Sequence, residues 1–324
     1  MSLPASPLAP AEQAVSAGVD APVDYAETAR IGNEAFSAED VFTPDHMRWL
    51  YEQCFSEGAT VVSLRTAQQK VGQFVIVRQE IVADGVPQPA AQLVDLFVLK
   101  AFRSRQTLAS LYDAVADQCR TQHIRFAIGM PNEKAIAAND HFFGLKPHLW
   151  LDIRAGLALR GPPSTLTINE RFSKDRAATW VNALHPYLPP LSEQGVFWTA
   201  DSLCTRLTNP RFSYGIHATN DLLLISSPRE RRGVPYTLLC GFFPRAGAHI
   251  SRADVQAVTR AACRVWQRPL FVYPGIHRRM PDLPGWRLPR RLRPSTMLVQ
   301  LRDFSPEMPP LVFDRYQPLD SDFA

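Results

Sequence analysis

The residues best suited to chemistry follow an apolar, strand-like segment at Leu93–Leu99. The next residues form a basic turn that contains Arg103, Ser104 and Arg105, and the apolar spacing after the turn predicts an amphipathic helix. The start of a helix carries unpaired amides and a partial positive charge, and it therefore favours a phosphate. The two arginines would add charge-assisted hydrogen bonds. The pattern indicates either a phosphate-binding turn or a plain βαβα unit with a basic surface turn.

A second strand–helix unit follows directly. Ile124–Ile128 reads as a strand, Pro131 and Asn132 mark the start of a helix, and Gly144 marks its end. Asn132 would cap that helix. Two such units in succession predict a sheet that opens where a ligand can enter.

Four side chains have the chemistry of a general acid or base: Glu80, Asp95, His123 and His141. His141 belongs to the second helix, and an imidazole titrates near neutral pH. A surface, capping or packing role explains each of the four equally well.

Three stretches resemble the core of the GNAT superfamily of acyl-CoA-dependent N-acyltransferases: Val98–Leu111, Pro131–Ala135 and Phe143–Pro147. In that family a turn with the pattern Arg/Gln-x-x-Gly-x-Gly/Ala holds the pyrophosphate of coenzyme A through backbone amides, and an Asn-x-x-Ala segment opens the next helix. The residues that this sequence keeps are Arg103, Asn132, Ala135 and Gly144-Leu145.

The resemblance implies an acyl-CoA co-substrate, and we expect no metal. Asn132, which the resemblance places near the cofactor arm, and the proton-transfer candidates His141 and Glu80 are the expected catalytic residues. It departs at Gln106 and Leu108, which stand where the family usually has glycines, and side chains there are expected to crowd the pyrophosphate. The spacing of the family's tyrosine acid lands on Asn139. The implied cofactor-binding residues are Leu96, Phe97, Val98, Arg103, Ser104, Arg105, Gln106, Thr107 and Leu108.

Hydrophobic periodicity and punctuation predict an α/β (α+β) fold with mixed central sheets flanked by helices, and the resemblance makes it a tandem GNAT-like fold. We expect a disordered tail at 1–23, a GNAT-like acyl-CoA-binding domain at 24–160 and a second, degenerate GNAT-like domain at 161–324, with a linker at 160–164. The family's first strand is expected within Tyr25–Arg30. Other expected elements are a helix at Ala38–Gly58, a loop at Asp84–Pro89, a helix at Val196–Thr205 and a C-terminal end that either docks onto the body or frays.

Composition narrows the class of protein. The 324 residues are 46% hydrophobic, with a net charge of +4 and five scattered cysteines, which argues against a disulfide framework or a zinc site. Neither a membrane span nor a secretory signal is evident, and we expect a cytoplasmic protein. Arginine-rich runs at Arg229–Arg232, His277–Arg279 and Arg287–Arg293 suit an acyl carrier protein or a phosphate-rich donor better than RNA.

The sequence therefore predicts an acyltransferase that moves an acyl group from acyl-CoA, or from an acyl carrier protein, to an amine acceptor. The alternative is a non-catalytic GNAT-like scaffold with an arginine-rich contact surface, and a nucleic-acid-associated protein is a third, weaker option. The acceptor, the acyl chain length and the oligomeric state stay open.

Overall fold

A computed structural model of the chain describes residues 14–55, 57–158, 166–280, 282–289, 291, 293 and 297–322. The expected linker at 160–164 and residues 1–13 of the expected tail lie outside the described residues.

The described residues of the N-terminal half form seven strands and four α-helices. Along the chain they are β1 (Ser16–Val19), α1 (Tyr25–Phe36), α2 (Pro44–Arg48), β2 (Ala59–Arg65), β3 (Lys70–Ala83), β4 (Val86–Val98), α3 (Arg105–Thr121), β5 (Phe126–Gly129), α4 (Glu133–Ala138), β6 (Lys146–Trp150) and β7 (Asp152–Leu157). Both α2 and α4 continue into one wider helical turn, at Trp49–Gln53 and Asn139–Phe143 respectively.

The C-terminal half supplies the remaining described elements. They are β8 (Ile168–Arg171), α5 (Ala177–Leu184), β9 (Gly195–Val196), α6 (Ala200–Arg206), β10 (Gly215–Ala218), β11 (Leu222–Arg231), β12 (Val234–Pro244), α7 (Arg252–Val265), β13 (Leu270–His277), β14 (Trp286–Arg287), β15 (Leu298–Asp303) and β16 (Arg315–Tyr316).

The strands form two mixed sheets of the same design. The first has the order β1-β2-β3-β4-β5-β15-β6, and the second has the order β14-β7-β13-β12-β11-β10-β8. In each sheet one central pair is parallel and is joined by a helix: β4 and β5 through α3, and β12 and β13 through α7. The prediction of two mixed sheets flanked by helices is confirmed.

The two sheets exchange strands across the proposed boundary near residue 160. Strand β7 leaves the first half to pair with β13, while β15 returns from the second half and lies between β5 and β6. The chain changes sheets at Leu151, which separates β6 from β7. The division into domains at 24–160 and 161–324 stays a proposal.

Strand periodicity decides which side chains reach which core. Along β3, Val75 and Val77 face a core shared by both sheets, while Phe74 and Ile76 face the helices α1 and α3. The same alternation in β11 sends Leu223 and Ile225 to the shared core, and Leu222 and Leu224 to α7. The halves are therefore joined by one continuous hydrophobic core.

Some expected elements were wrong. The tail expected at 1–23 contains β1, which pairs with β2, and the adjoining Asp20 binds the buried Lys70 with an Nζ–Oδ2 distance of 2.9 Å. The first strand therefore precedes Tyr25–Arg30, which belongs to α1. Composition hid this strand because the segment is rich in alanine, proline and serine.

Two other corrections concern the bounds of a loop and of two helices. The loop expected at Asp84–Pro89 is shorter, since only Asp84 and Gly85 form a turn and Pro87 and Pro89 belong to β4. A strand can contain proline here because this part of β4 pairs with β3 on one side only, and its other side has no described partner strand that would need an amide donor. The helices expected at Ala38–Gly58 and Val196–Thr205 begin later, at Pro44 and Ala200, after Thr43 and Thr199, which cap them.

The C-terminal segment docks onto the body, as one of the two sequence alternatives expected. We call residues 315–322 the C-terminal strap. The buried Arg315 holds it through Glu193 (Nε–Oε1 2.9 Å) and Asp320 (Nη1–Oδ1 2.8 Å), and Asp320 also accepts a hydrogen bond from the indole of Trp198. These charges are buried but paired.

Replacement of Arg315 by methionine should lower the free energy of unfolding by about 3–5 kcal/mol, since it removes the arginine partner of the buried Asp320 and one of the two arginines that pair with the buried Glu193. Chemical denaturation measures the loss. The matched control is Arg278→Met, which breaks an ion pair with Asp314 whose arginine is 61% exposed and should cost less than about 1 kcal/mol. Equal losses in the two variants would contradict the structural role given to the strap.

Candidate active site

The first sheet opens at the C-terminal ends of its parallel strands. The ladder between β4 and β5 ends with Leu93 opposite Gly129, and the two strands separate beyond that pair. A cavity of about 720 Å³ lies at the opening, between residues 96–98 of β4 and Asn132–Ala135 at the start of α4. A smaller cavity of about 160 Å³ shares Phe36, Leu96 and Asn132 with it and reaches deeper between the strands.

A β-bulge in β4 aims a carboxylate into the smaller cavity. The register between β3 and β4 shifts between Gln73 and Val75, and Asp95 has a φ of +51°, a conformation that costs energy in a residue other than glycine. Asp95 lines the cavity and accepts a hydrogen bond of 2.6 Å from the hydroxyl of Tyr51, which in turn accepts one from Gln73.

The pKa of Asp95 is raised to about 7, chiefly because burial disfavours the charged carboxylate. The nearby Asp322 adds to this rise, and the Tyr51 hydrogen bond opposes it. Asp322 is the last described residue of the C-terminal strap; it lines the same cavity and its carboxylate accepts a hydrogen bond from Gln92. The strap thus places a second acid in a cavity of the first sheet.

The basic turn leads into α3 as the sequence predicts. Ser104 is the N-cap, and its hydroxyl accepts a hydrogen bond from the amide of Thr107 at 3.0 Å. The amides of Arg105 and Gln106, in the first turn of α3, have no carbonyl within the helix to bind. The Arg105 guanidinium lies 3.4 Å from Nε2 of His141, so the structure brings these two predicted residues together on the exposed side of the turn.

Arg103 holds the wall of the larger cavity. Its guanidinium donates to the carbonyl oxygen of Val98 at the end of β4 and to that of Ala35 in α1, both at 2.8 Å. The arginine therefore fastens the strand to the helix rather than projecting freely towards a ligand.

The remaining predicted cofactor-binding residues divide by position. Leu96, Phe97, Val98 and Leu108 line the larger cavity. The side chain of Gln106 is exposed and does not line it, whereas Leu108 does occupy part of its wall, so the crowding expected from both residues falls on Leu108 alone.

Asn132 lies between the two cavities and caps α4. Its Oδ1 accepts hydrogen bonds from the amides of Lys134 and Ala135, at 3.0 and 3.1 Å. Its Nδ2 has no partner among the described residues, which leaves both of its N–H groups for a ligand.

Asn139 occupies the position where the family has its tyrosine acid, and it is tied into the core. It accepts a hydrogen bond of 2.6 Å from Tyr112 and donates one of 3.1 Å to Gln300 of β15. This network joins α3, the end of α4 and the returning strand. It fixes the floor of the smaller cavity, which Asn139 lines.

Two proton-transfer candidates do not reach the opening. Glu80 is exposed, and it pairs with Pro89 in the part of β3 that lies beyond the parallel ladder from the cavities. His123 is exposed after the C-terminal end of α3, at the opposite end of that helix from Ser104. The position of Glu80 could not be predicted from the sequence, because strand register, not sequence distance, decides which end of the sheet a residue occupies.

The second sheet has an equivalent opening, but the C-terminal strap fills it. Beyond the parallel pair of β12 with β13, strand β13 pairs with β16, and Gln317 bridges to β12. The Gln317 carboxamide accepts a hydrogen bond from the amide of Phe242 and donates one to its carbonyl oxygen, at 2.8 and 3.2 Å. The second unit is therefore degenerate in the sense that the C-terminal strap occupies the place where a ligand would enter.

Several arginines of the arginine-rich runs form ion pairs within the molecule. Arg278 and Arg279 pair with Asp314 and Glu193, and Arg287 pairs with Asp152. Much of their charge is therefore compensated, which weakens the expectation of a broad arginine contact surface.

Among the described residues there is neither a metal-binding cluster nor a membrane-spanning helix. No group of three or more potential ligands among His, Cys, Asp and Glu comes together as a metal site would require. None of the helices in the described ranges is both long and apolar enough to cross a bilayer.

Comparison with known proteins agrees with this geometry. Residues 22–139 match the family model described as an acetyltransferase (GNAT) domain. No curated protein matches the sequence. Similar solved structures are a GCN5-related N-acetyltransferase from Anabaena variabilis (TM-score 0.64, 12% identity, 90% of this chain and 73% of that chain covered) and a protein from Enterococcus faecalis described as a probable N-acyltransferase (0.62, 11%, 90% and 73%).

A third similar structure carries a bound ligand. It is the N-myristoyltransferase of Saccharomyces cerevisiae with myristoyl-CoA, with a TM-score of 0.58, 10% identity and coverage of 97% of this chain and 85% of that chain. At these identities the structural likeness shows the fold. Together with the family-model match, it supports an N-acyltransferase enzyme. Residues 22–139 thus match a GNAT domain, and the chain as a whole has the fold of these acyltransferase structures, in two sheet bodies.

Proposed function

We propose that this protein transfers an acyl group from acyl-CoA to an amine acceptor at the opening of the first sheet. The observation that carries the proposal is the separation of β4 from β5 beside the start of α3, with a large outer cavity and a small inner cavity that holds Asp95.

The acyl-CoA would lie along the open edge of β4. Its pyrophosphate would meet the first amides of α3, with Arg105 and His141 beside them. The pantetheine arm would run past Leu96–Val98, where β4 has lost its β5 partner and its backbone can bind a ligand, and Asn132 would donate from Nδ2. The hydrogen bond between Ser104 and Thr107 would fix the turn, and Arg103 would hold the wall of the larger cavity through its bond to Val98.

The reaction needs a neutral amine next to the thioester carbonyl. Asp95, whose pKa lies near 7, would accept a proton from the acceptor's ammonium group. The amine nitrogen then forms a bond to the carbonyl carbon and the carbon–sulfur bond breaks. The proton that the nitrogen loses as it becomes an amide passes to the sulfur, so coenzyme A leaves as the thiol, and Asp95 later returns its proton to solvent. Asp322, which lines the same cavity, would hold the cationic amine in place before the transfer.

This proposal changes the residues that the sequence favoured for catalysis. Asn132 keeps a binding role, and His141 moves to the outer, phosphate side of the turn. Glu80 is replaced by Asp95, which the sequence also offered. An acyl carrier protein remains a possible source of the acyl arm, because the outer cavity is open to solvent at the α3 turn. We place the protein in the cytoplasm, where its five buried free thiols suit a reducing environment.

The alternative, a non-catalytic binding module, is favoured by one observation. Leu108 lines the cavity where the family usually has glycine or alanine, and a side chain there narrows the path of the pyrophosphate.

We expect acetyl-CoA or a longer acyl-CoA to stabilise the protein, by about 2.7 kcal/mol when the ligand is present at 100-fold its dissociation constant. Arg105→Gln should weaken binding of the acyl-CoA about tenfold, since it removes a charge-assisted hydrogen bond to phosphate. The same variant should leave the affinity for the matching acyl-pantetheine unchanged, because that compound lacks the pyrophosphate. Isothermal titration calorimetry measures both.

Arg120→Gln is the matched control, since Arg120 is an exposed arginine at the other end of α3 that pairs with Asp117. It should bind acyl-CoA like the unchanged protein. Stabilisation by no acyl-CoA of any chain length would favour the non-catalytic module.

With acetyl-CoA and a panel of primary amines, we expect kcat/KM to rise with pH and to level off above about 7, as Asp95 loses its proton. Asp95→Asn should lower the rate at least about 100-fold, in the range of general base catalysis. Release of the coenzyme A thiol measures the rate, and Asp113→Asn, at an exposed position of α3, is the control. A full rate in the Asp95→Asn variant would exclude Asp95 as the base.

The raised pKa of Asp95 also predicts a pH-dependent stability. The folded protein binds the Asp95 proton more tightly than the unfolded chain, whose aspartates titrate near 3.9, so this contribution favours folding at pH 4 and is lost as the pH rises to 7. The stability of Asp95→Asn relative to the unchanged protein should therefore increase between pH 4 and 7 and stay constant above. Urea denaturation at several pH values measures it; a constant difference would mean an ordinary pKa.

A further inference from the structure

A cavity of about 470 Å³ in the C-terminal unit has no part in the proposed acyl transfer. We call it the α7 cleft. One wall is the face of α7 that carries Arg252, Val255, Thr259 and Arg260, and the opposite wall consists of residues 156–158 at the end of β7 and the loop 282–286. Its volume is that of a small-molecule site.

The cleft exists because none of the described residues forms a helix over the face of α7 that corresponds to the covered face of α3. Tyr112 is the eighth residue of α3, as Thr259 is the eighth residue of α7. In the first unit the helical turn at Asn139–Phe143 covers this face: the Tyr112 ring stacks on Phe142 at 5.6 Å, and its hydroxyl binds Asn139. In the second unit the loop 282–286 follows β13 instead, and this face of α7 stays open.

The uncovered face contains an unsatisfied polar group. Thr259 is 3% exposed, and its hydroxyl has no hydrogen-bond partner among the described residues. A buried hydroxyl without a partner costs free energy, and a ligand atom in the cleft would remove that cost.

The charges at the cleft favour an anion. Arg252 and Arg260 lie eight residues apart on α7, both line the cleft, and neither forms an ion pair with a described carboxylate. Among the described residues Arg260 donates a hydrogen bond to Gln256, at 3.2 Å. Asp282 is the acid of the opposite wall, so the cleft keeps a net positive charge.

The rest of the cleft is apolar. Val255 and Phe271 are buried at its floor, and Leu157 and Trp286 are 55% and 75% exposed at its edge. Leu157 and Trp286 together give the cleft an exposed apolar edge, the kind of surface on which an apolar stem can pack.

We propose that the α7 cleft binds a small amphiphilic anion, namely a carboxylate or a phosphate monoester on an apolar stem. The anionic group lies between Arg252 and Arg260 and accepts a hydrogen bond from Thr259. The stem lies on Val255 and Phe271 beneath the indole of Trp286.

Three probes with the same eight-carbon stem test the proposal: octanoate, octyl phosphate and octan-1-ol. The readout is the indole NH signal of Trp286 in a ¹⁵N NMR spectrum, assigned with the Trp286→Phe variant, so that it reports on this cleft and not on the acyl-CoA site. At least one anion should shift this signal saturably, with a dissociation constant at least about tenfold below that of octan-1-ol. The anion that binds more tightly identifies the headgroup as carboxylate or phosphate.

Variants separate charge from hydrophobic contact. The double variant Arg252→Gln/Arg260→Gln should lose the preference for anions and keep the affinity for octan-1-ol, whereas Arg264→Gln, on the exposed side of the same helix, should bind like the unchanged protein. Thr259→Val should weaken anion binding several-fold. Equal affinity for octan-1-ol and both anions, or an undiminished preference for anions in the double variant, would overturn the proposal. Neither the Trp286 signal nor the affinities of these variants depend on acyl transfer.

Discussion

The end of the parallel pairing between β4 and β5 is the constraint on which the candidate active site depends. Past Leu93 and Gly129 the two strands no longer satisfy each other's backbone groups, and such groups must find other partners or a ligand. The bulge at Asp95 belongs to the same event, because the extra residue that bends β4 away from β5 also turns a carboxylate into the opening. Helix α3, Arg103 and the network around Asn139 then hold the separated strands in place.

The two units show what happens to such an opening with and without an internal partner. In the second sheet the separated strands β12 and β13 take up β16 and the Gln317 carboxamide, which replaces the missing neighbour on both sides of Phe242. In the first sheet no described segment does so, and a cavity remains. The same backbone requirement thus produces a closed core in one unit and a candidate binding site in the other.

Much of this arrangement can be predicted from the sequence, because it follows from local rules. Ser104 and Asn132 cap the helices that their positions predict, and Gly144 ends the second helix with a φ of +74°. What could not be predicted depends on long-range pairing. The register of β3 carries Glu80 away from the opening, the return of β15 supplies Gln300 as the partner of Asn139, and Asp322 reaches the cavity only because residues about 230 positions apart meet. The bulge at Asp95 also could not be predicted, because the sequence around it is that of an ordinary apolar strand.

The C-terminal strap makes the second unit a structural part of the first unit's site. Its anchor is electrostatic: Arg315, Glu193 and Asp320 are buried together, and a buried group of this kind tolerates little displacement because each charge needs its partner. Asp322 follows Asp320 by two residues, so the position of its carboxylate beside Asp95 is fixed by contacts made in the other sheet. Since each carboxylate disfavours ionisation of the other, the protonation of Asp95 depends on the strap as well as on its own burial. A unit that has lost its own opening can in this way still determine the chemistry of its neighbour.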